Sequence, residues 1–427
     1  LGAVVSRYLQ ILRRRAALLP FAAAVVARLP IAMGPLGMVL LVQDVRGSYS
    51  VAGVITAAWA VSATVATPLL GRGLDRFGQR LVIGVSSVAS GVLLAVFALS
   101  AVGGAADPVL LALSAAVGLT FPPVGPAMRG AWRVVLETDA DRRAAYALDA
   151  VAVETIFVGG PLLLSLLLVV APAAVPLLVT AALLAGGGAA YASTSAARSV
   201  PRTPHRTGGG RRSASPLRSR GVIAVLLVTG GLAVGFGLTD LSIAATAREE
   251  LGSQARVGIL FAAIAGGSAV GGLWYGARRW RRPERTRYPV ALAGFATGLG
   301  AMALLLGGVG HPSLVAILPV MVVTGVCIAP ALIIAQNLVD HLAPRDRLGE
   351  AQSWLNTSFT AGSAGGTAFA GVLVDAGGPA RSFVGASVAV AAGALGALAV
   401  QGRWRAADGP EPDVAPAALA TDPVGPG

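Results

Sequence analysis

The sequence predicts an all-α membrane protein, with twelve transmembrane helices in two pseudo-symmetric six-helix bundles. Three observations lead there. The 427-residue chain is 55% hydrophobic and only 12% charged, with mean hydropathy +0.74. A soluble globular domain carries about 25% charged residues. The apolar residues gather into twelve runs, each about 20 residues or more, enough to cross ~30 Å of hydrocarbon. An arginine-rich linker divides these runs six and six, and segments on its two sides resemble each other at a fixed offset of 207 residues.

Taken in order, the runs are 17–43, 50–70, 81–103, 108–131, 145–170 and 173–195, then 220–247, 256–277, 288–309, 313–338, 349–374 and 379–401. The first follows Arg13, Arg14 and Arg15 and is too long for a signal peptide, so it reads as a membrane helix. Loops alternate sides. One side collects 28 arginines and the other only Arg46, Arg248, Arg256 and Arg381, while Arg28 alone lies deep within a run, away from its ends. The positive-inside rule then puts both termini in the cytoplasm and the chain in the cytoplasmic membrane. The expected organisation is a bundle over 1–195, a cytoplasmic linker over 196–219, a bundle over 220–402 and a disordered tail over 403–427. The linker holds Gly208, Gly209, Gly210 and several prolines, a flexible composition. The tail is rich in Pro, Ala and Asp.

Other classes fall away on composition. The net charge of +13 is spread over the ends of apolar runs, with no aromatic-rich basic face to read nucleic acid. Cys327 is the single cysteine and lies inside an apolar run, where it reads as a packing residue. His205, His311 and His341 are far apart in sequence. There is no metal-ligand spacing, no nucleophile–base set and no phosphate-binding glycine loop. The expectation is a protein that is not an enzyme, has no cofactor and is not driven directly by ATP.

The stretch GRGLDRFGQR, residues 71–80, sits between the second and third runs. Its glycines permit a tight turn, and Asp75 stands just before the next helix, where an acid favours the helix dipole. Gly71, Asp75, Arg76, Gly78 and Arg80 resemble the loop signature of the major facilitator superfamily, with Gln79 where an arginine is usual. The resemblance spans residues 17 to 401. It implies a substrate site at mid-membrane between the bundles, reached alternately from each side. It also implies a gate in which Asp75 docks near Gly349 and Glu350, at the start of the eleventh helix. Gly159, Gly160 and Pro161 match part of the exporter branch's fifth-helix motif, whose later glycines are missing. The resulting expectation is a monomeric secondary transporter that moves a small organic molecule, by proton-coupled efflux, amid membrane lipid. An uptake permease for a sugar, amino acid or organic anion is the alternative, and a receptor or membrane enzyme the alternative of another class.

The repeat matches Gly118 with Gly325, Pro123 with Pro330, Leu148 with Leu355, Asp149 with Asn356 and Gly159 with Gly366. Residues 276–287 stand where a degenerate copy of the 71–80 loop belongs, keeping glycine and basic charge. Glycine pairs four apart, such as Gly267 with Gly271 and Gly362 with Gly366, predict close helix contacts. Pro122, Pro123 and Pro126 predict a bend in the fourth helix.

Charge inside a membrane is costly and marks function. Arg28 and Glu154 fall about 16 Å and 13 Å into the first and fifth helices at 1.5 Å per residue, nearly the same depth. They are the expected proton and substrate pair, with Asp240, Arg129 and Asn356 as further candidates. Gln336, Asn337 and Gln352 are polar points on the tenth and eleventh runs. Trp274, Tyr275 and Trp280 read as an interfacial aromatic belt.

Overall fold

The computed structural model describes residues 10–201, 215–278, 280–308, 312–344 and 347–407, apart from the side chains at 139, 140, 143, 147, 150, 154, 349, 406 and 407. The central part of the 196–219 linker and the tail beyond 407 lie outside the described residues. Eleven helical stretches are long and apolar enough to span a membrane: α1 (Arg15–Arg46), α2 (Tyr49–Phe77), α3 (Gln79–Val102), α4 (Asp107–Val135), α5 (Ala144–Val170), α6 (Ala174–Ser193), α7 (Arg220–Glu250), α8 (Gln254–Ala277), α9 (Glu284–Gly308), α10 (Leu314–Leu342) and α11 (Glu350–Arg405). Among the described residues there is no strand, as a lipid environment demands, since only helices and closed barrels satisfy every backbone group there.

Two of the predicted runs, 349–374 and 379–401, fall in the one stretch α11. Its helix of 53 residues would be about 80 Å long if straight, far beyond one bilayer crossing. It breaks at Gly377 and Gly378, and Gly378 has φ 71°, a left-handed conformation that glycine adopts without strain. Pro379 starts the second limb, where its missing N–H costs least. The five residues Asp375–Pro379 thus join two limbs with almost no loop.

The repeat is visible in the breaks. In α4 the helix stops at Thr120 and resumes at Val124 around Pro122 and Pro123. In α10 it stops at Gly325 and resumes at Ile328. Gly118 lies against the Trp59 carbonyl of α2, and Gly325 against the Ile264 carbonyl of α8. Partners that are themselves about 207 residues apart are what two copies of one packing motif should show. Among the sequence-predicted pairs, Gly267 and Gly271 face the Val322 and Val326 carbonyls, and Gly362 and Gly366 face the Gly230 and Val234 carbonyls. Cys327 packs against Gly294.

Many hydroxyls inside the helices bond to carbonyls of their own helix. Thr64, Thr180, Ser242 and Thr324 each donate to the carbonyl four residues back. Others tie helices together: Ser114 donates to the Ile55 carbonyl at 2.6 Å, and Ser358 to the Leu226 carbonyl at 2.6 Å. Beyond α11's helix, the 3-10 turns Gln401–Ala407 return a fully buried Trp404, whose indole N–H donates to the Gly221 carbonyl at 3.1 Å.

The glycine contacts predict a graded stability series. Gly366→Ala, whose Cβ meets the Val234 carbonyl, should cost about 1–3 kcal/mol. Gly276→Ala, with open space around it, should be neutral. Thermal unfolding of the detergent-purified variants measures the difference, and equal melting temperatures would discount the contact.

Candidate functional site

The two halves of the chain meet at one face of the molecule. Helix α2 begins at that face with Tyr49 and ends at the opposite face with the 71–80 loop. Its buried residues are Tyr49, Ala52, Gly53, Ile55 and Thr56, in the first two turns, and beyond them only Ala66. Gly53 lies against the Thr367 carbonyl of α11, and Gly371 of α11 against the Tyr49 carbonyl. The second pair of helices copies this. Gly258, at the start of α8, lies against the Pro161 carbonyl of α5, and its N–H donates to Ser165 Oγ at 2.5 Å.

A carboxylate fastens this face. Asp375, the last acid of α11's first limb, accepts from Ser48 Oγ (2.8 Å), Tyr49 N–H (2.9 Å), Ser50 N–H (2.8 Å) and Ser50 Oγ (2.6 Å). These groups form the N-terminus of α2, whose first N–H groups have no partner within the helix. An anion there satisfies the donors and meets the positive end of the dipole. Ser48 also caps α2 by accepting from Val51 N–H at 3.3 Å. Nearby, Arg248 of α7 pairs with Asp44 of α1 at 3.1 Å, a second tie between the halves.

At the opposite face the end of α2 shares no hydrogen bond or ion pair with the second half among the described residues. Gly78, with φ 86°, makes the sharp turn from α2 to α3. Asp75, Arg76 and Arg80 are exposed, and Asp75 makes no hydrogen bond or ion pair among the described residues. The helix that begins at Leu348 has no capping side chain at its N-terminus. Glu350 is held instead by Arg347 at 2.9 Å and Ser215 at 3.3 Å. Gln79, the departure from the loop signature, is buried and built in: its amide donates to the Ala127 carbonyl at 2.9 Å and accepts from Tyr191 Oη at 2.8 Å. A neutral amide suits that closed pocket better than a guanidinium would, because it needs no counter-charge.

Arg28 is the one buried arginine among the described residues. Its Nη2 pairs with Asp149 Oδ1 of α5 at 2.7 Å, and its Nε donates to the Ala24 carbonyl at 3.1 Å. The expected partner was Glu154, five residues further along the same helix, whose side chain lies outside the described residues. Both members of the Arg28–Asp149 pair have side chains only 10% exposed. Such a pair holds together because separating it strands a charge.

Asp240 of α7 is exposed and has no ion pair or hydrogen-bond partner among the described residues. Phe236, one turn away on the same face, contacts Phe295 and Phe359 with centroids 5.4 Å apart in each case. Arg129 and Asn356 are exposed toward the open face. Asn337 holds Glu284 at 2.7 Å and Gln352 holds Asp340 at 2.8 Å, so these amides brace the open ends of α9 to α11. The expected aromatic belt is more elaborate than a belt. Trp280 stacks on Tyr275 and meets Trp274 edge-on, while Arg278 and Arg287 lie over the rings.

Sequence reasoning passed over Asp149 and Asp375. Asp149 was visible as the partner of Asn356 in the repeat. Asp375 stands directly before the Ala-Gly-Gly-Pro break, and only the fold reveals that the start of α2 lies against it.

The chain belongs to the Major Facilitator Superfamily, whose model matches residues 19–367 and 235–421. Among curated protein sequences none matches. Among solved structures the chain is similar to the nucleoside transporter NupG, at 12% identity and TM-score 0.68, covering 90% of this chain and 99% of that one. It is also similar to a bacterial homologue of the iron transporter ferroportin in its inward-facing state (15% identity, TM-score 0.66, 91% and 98% covered). A bacterial homologue of the human lysosomal transporter Spinster, inward-facing and unoccupied, gives 14% identity and TM-score 0.65, with 92% and 97% covered. At these identities the likeness concerns the fold.

Removing the carboxylate should loosen the closed face. In Asp375→Ala, amide hydrogen exchange over residues 48–53 and 369–375 should accelerate by about tenfold or more, since several charge-assisted bonds go at once. Unchanged protection there would show that the glycine contacts alone hold the face.

Proposed function

We propose that this transporter exports a small organic molecule across the cytoplasmic membrane in exchange for protons, as a monomer of two six-helix bundles. Counting the two limbs of α11 separately brings the spans to twelve. The distribution of 28 arginines against 4 supports a cytoplasmic position for the termini and the 71–80 loop. On that assignment the protein is closed outside and open inside, ready to take substrate from the cytoplasm. Gly160, of the partial exporter motif, packs against Ala32 of α1 and so sits where α1 and α5 meet, beside the Arg28–Asp149 pair's two helices.

The single observation that carries the coupling is the buried Arg28–Asp149 pair. A carboxylate that has lost its cation is most cheaply held with a proton. If a proton on Asp149 frees Arg28 to swing into the substrate's place, proton and substrate exclude each other. Substrate arriving from the cytoplasm then pushes Arg28 back onto Asp149, which gives up its proton inward, and a proton arriving from outside reverses this as substrate leaves. Asp149 is given the role expected of Glu154 because it is an acid in contact with Arg28 among the described residues. Asp240 of α7, with no partner among the described residues, is the second candidate carboxylate.

The test begins with a ligand-stabilisation screen on purified protein. Hits go to proteoliposomes with an imposed pH gradient and an internal pH dye. Wild type should show proton flux on addition of a hit. Asp149→Asn should lose that flux and gradient-driven accumulation while keeping substrate exchange without a gradient. Substrate-elicited proton flux that persists in Asp149→Asn would move the coupling site to Asp240.

The loop gate has its own expected outcome. When the inner face closes, Asp75 would cap the N-terminus at Leu348, as Asp375 now caps α2. Asp75→Asn should therefore stabilise the inward-open form, seen as reduced cross-linking between cysteines placed across the inner gate. Cross-linking equal to that of the same cysteine pair with Asp75 intact would remove Asp75 from the gate.

A further inference from the structure

A cavity of about 570 Å³ opens on the outer flank of the first half, where the turn into α3 meets the end of α6. It is not part of the space between the halves. Its lining comes from residues 77–85 and 197–200, with Arg80 and Arg198 as its two charged groups and no acid. Arg80 is exposed and makes no ion pair among the described residues. Arg198 is anchored by one nitrogen, Nη2, to the Ser193 carbonyl at 2.8 Å, which leaves its other donors at the rim. The floor is apolar and opens onto a stripe along α3 formed by Leu81, Val85, Val88 and Val92, all exposed. Spacings of four, three and four residues put that stripe on one helix face. It begins at the charged turn and runs into the depth of the hydrocarbon.

We propose that this cavity binds an anionic phospholipid, its phosphate between Arg80 and Arg198 and an acyl chain along the α3 stripe. Guanidinium groups hold phosphate oxygens in forked geometry. The lack of an acid in the lining gives no partner to an ammonium headgroup, so the site selects phosphatidylglycerol-type lipids over ethanolamine or choline lipids. The polar end lies at the level of an interface and the apolar end at membrane depth, which is the amphipathic division of a lipid and not of a free anion. The cavity borders Gly78 and Gln79, so an occupying lipid touches the turn that carries the gating loop.

The experiment uses the purified full-length chain in mixed micelles with phosphatidylglycerol, phosphatidylethanolamine or phosphatidylcholine, read by native mass spectrometry and by thermal protection. Wild type should retain phosphatidylglycerol at least tenfold more tightly than the other two. The double variant Arg80→Gln/Arg198→Gln should lose about tenfold of that preference. Arg281→Gln/Arg282→Gln, in the basic stretch before α9, should keep it. Leu81→Glu retains both arginines but puts an acid at the mouth, and should also lose it. The proposal is overturned by equal retention of the three lipids, as when the linker fills the cavity, or by a double variant or Leu81→Glu that binds like wild type. It is equally overturned if glycerol 3-phosphate alone gives the full protection, which would mark a site for free phosphate esters.

Discussion

Backbone meeting backbone across glycine is the contact on which the rest of this fold depends. Lipid supplies no hydrophobic drive for one apolar helix to prefer another, so helices associate through close packing and a few polar ties. Gly267, Gly271, Gly325, Gly362 and Gly366 each bring a neighbouring carbonyl within the reach that a Cβ would occupy. The same device operates between the halves at Gly53, Gly258 and Gly371. Contacts of this kind are flat and lack interlocking side chains. They seal a face without making it irreversible, which suits an interface that must open in every cycle.

Selectivity for one closed face comes from charge placed at helix ends. Asp375 lies at the end of one limb and fastens the start of α2, while Asp75 lies exposed at the end of α2 and the start of α11's helix carries no capping side chain. The two acids occupy reciprocal positions on one pair of helices. A helix start is an anion site by its unpaired N–H groups, and of these two helix starts only that of α2 holds an acid from the other helix in this arrangement. If the proposed docking of Asp75 and that of Asp375 exclude each other geometrically, coupling between the faces needs no long-range signal.

Much of the fold was legible because membrane helices declare themselves by length and apolarity. The bend at Pro122 and Pro123, the packing of Gly362 with Gly366 and the turn at Gly78 follow from local chemistry that any one residue carries. The break at Gly377–Gly378 was legible as a boundary between runs, though so short a turn leaves α11 a single helical stretch. The site was less legible, because its pairs are made between residues far apart in sequence. Equal depth suggested Glu154 as the partner of Arg28, and its side chain lies outside the described residues; Asp149, which depth did not single out, is an acid in contact with Arg28. Asp375 looked like any acid at a span's end. Gln79 looked like a weakened motif, yet its two hydrogen bonds to Ala127 and Tyr191 make it a fitted part of its pocket.

Trp404 gives the second half a mechanical character. Its indole bonds the start of α7 at Gly221 and its ring lies 6.0 Å from that of Tyr288, whose hydroxyl meets Thr229 of α7 at 3.2 Å. The free ends of α7, α9 and α11 are thereby bolted to one another at the face where the halves part. A body braced at its open end resists splaying helix by helix, so a movement of this half against the other would take the form of a lever about the closed face. With an arm of about 40 Å, the length of a helix such as α2, a rotation of about 10° carries the far end through about 7 Å. That is enough to admit or shut out a small molecule, while the glycine contacts at the fulcrum shift by little more than an atomic radius.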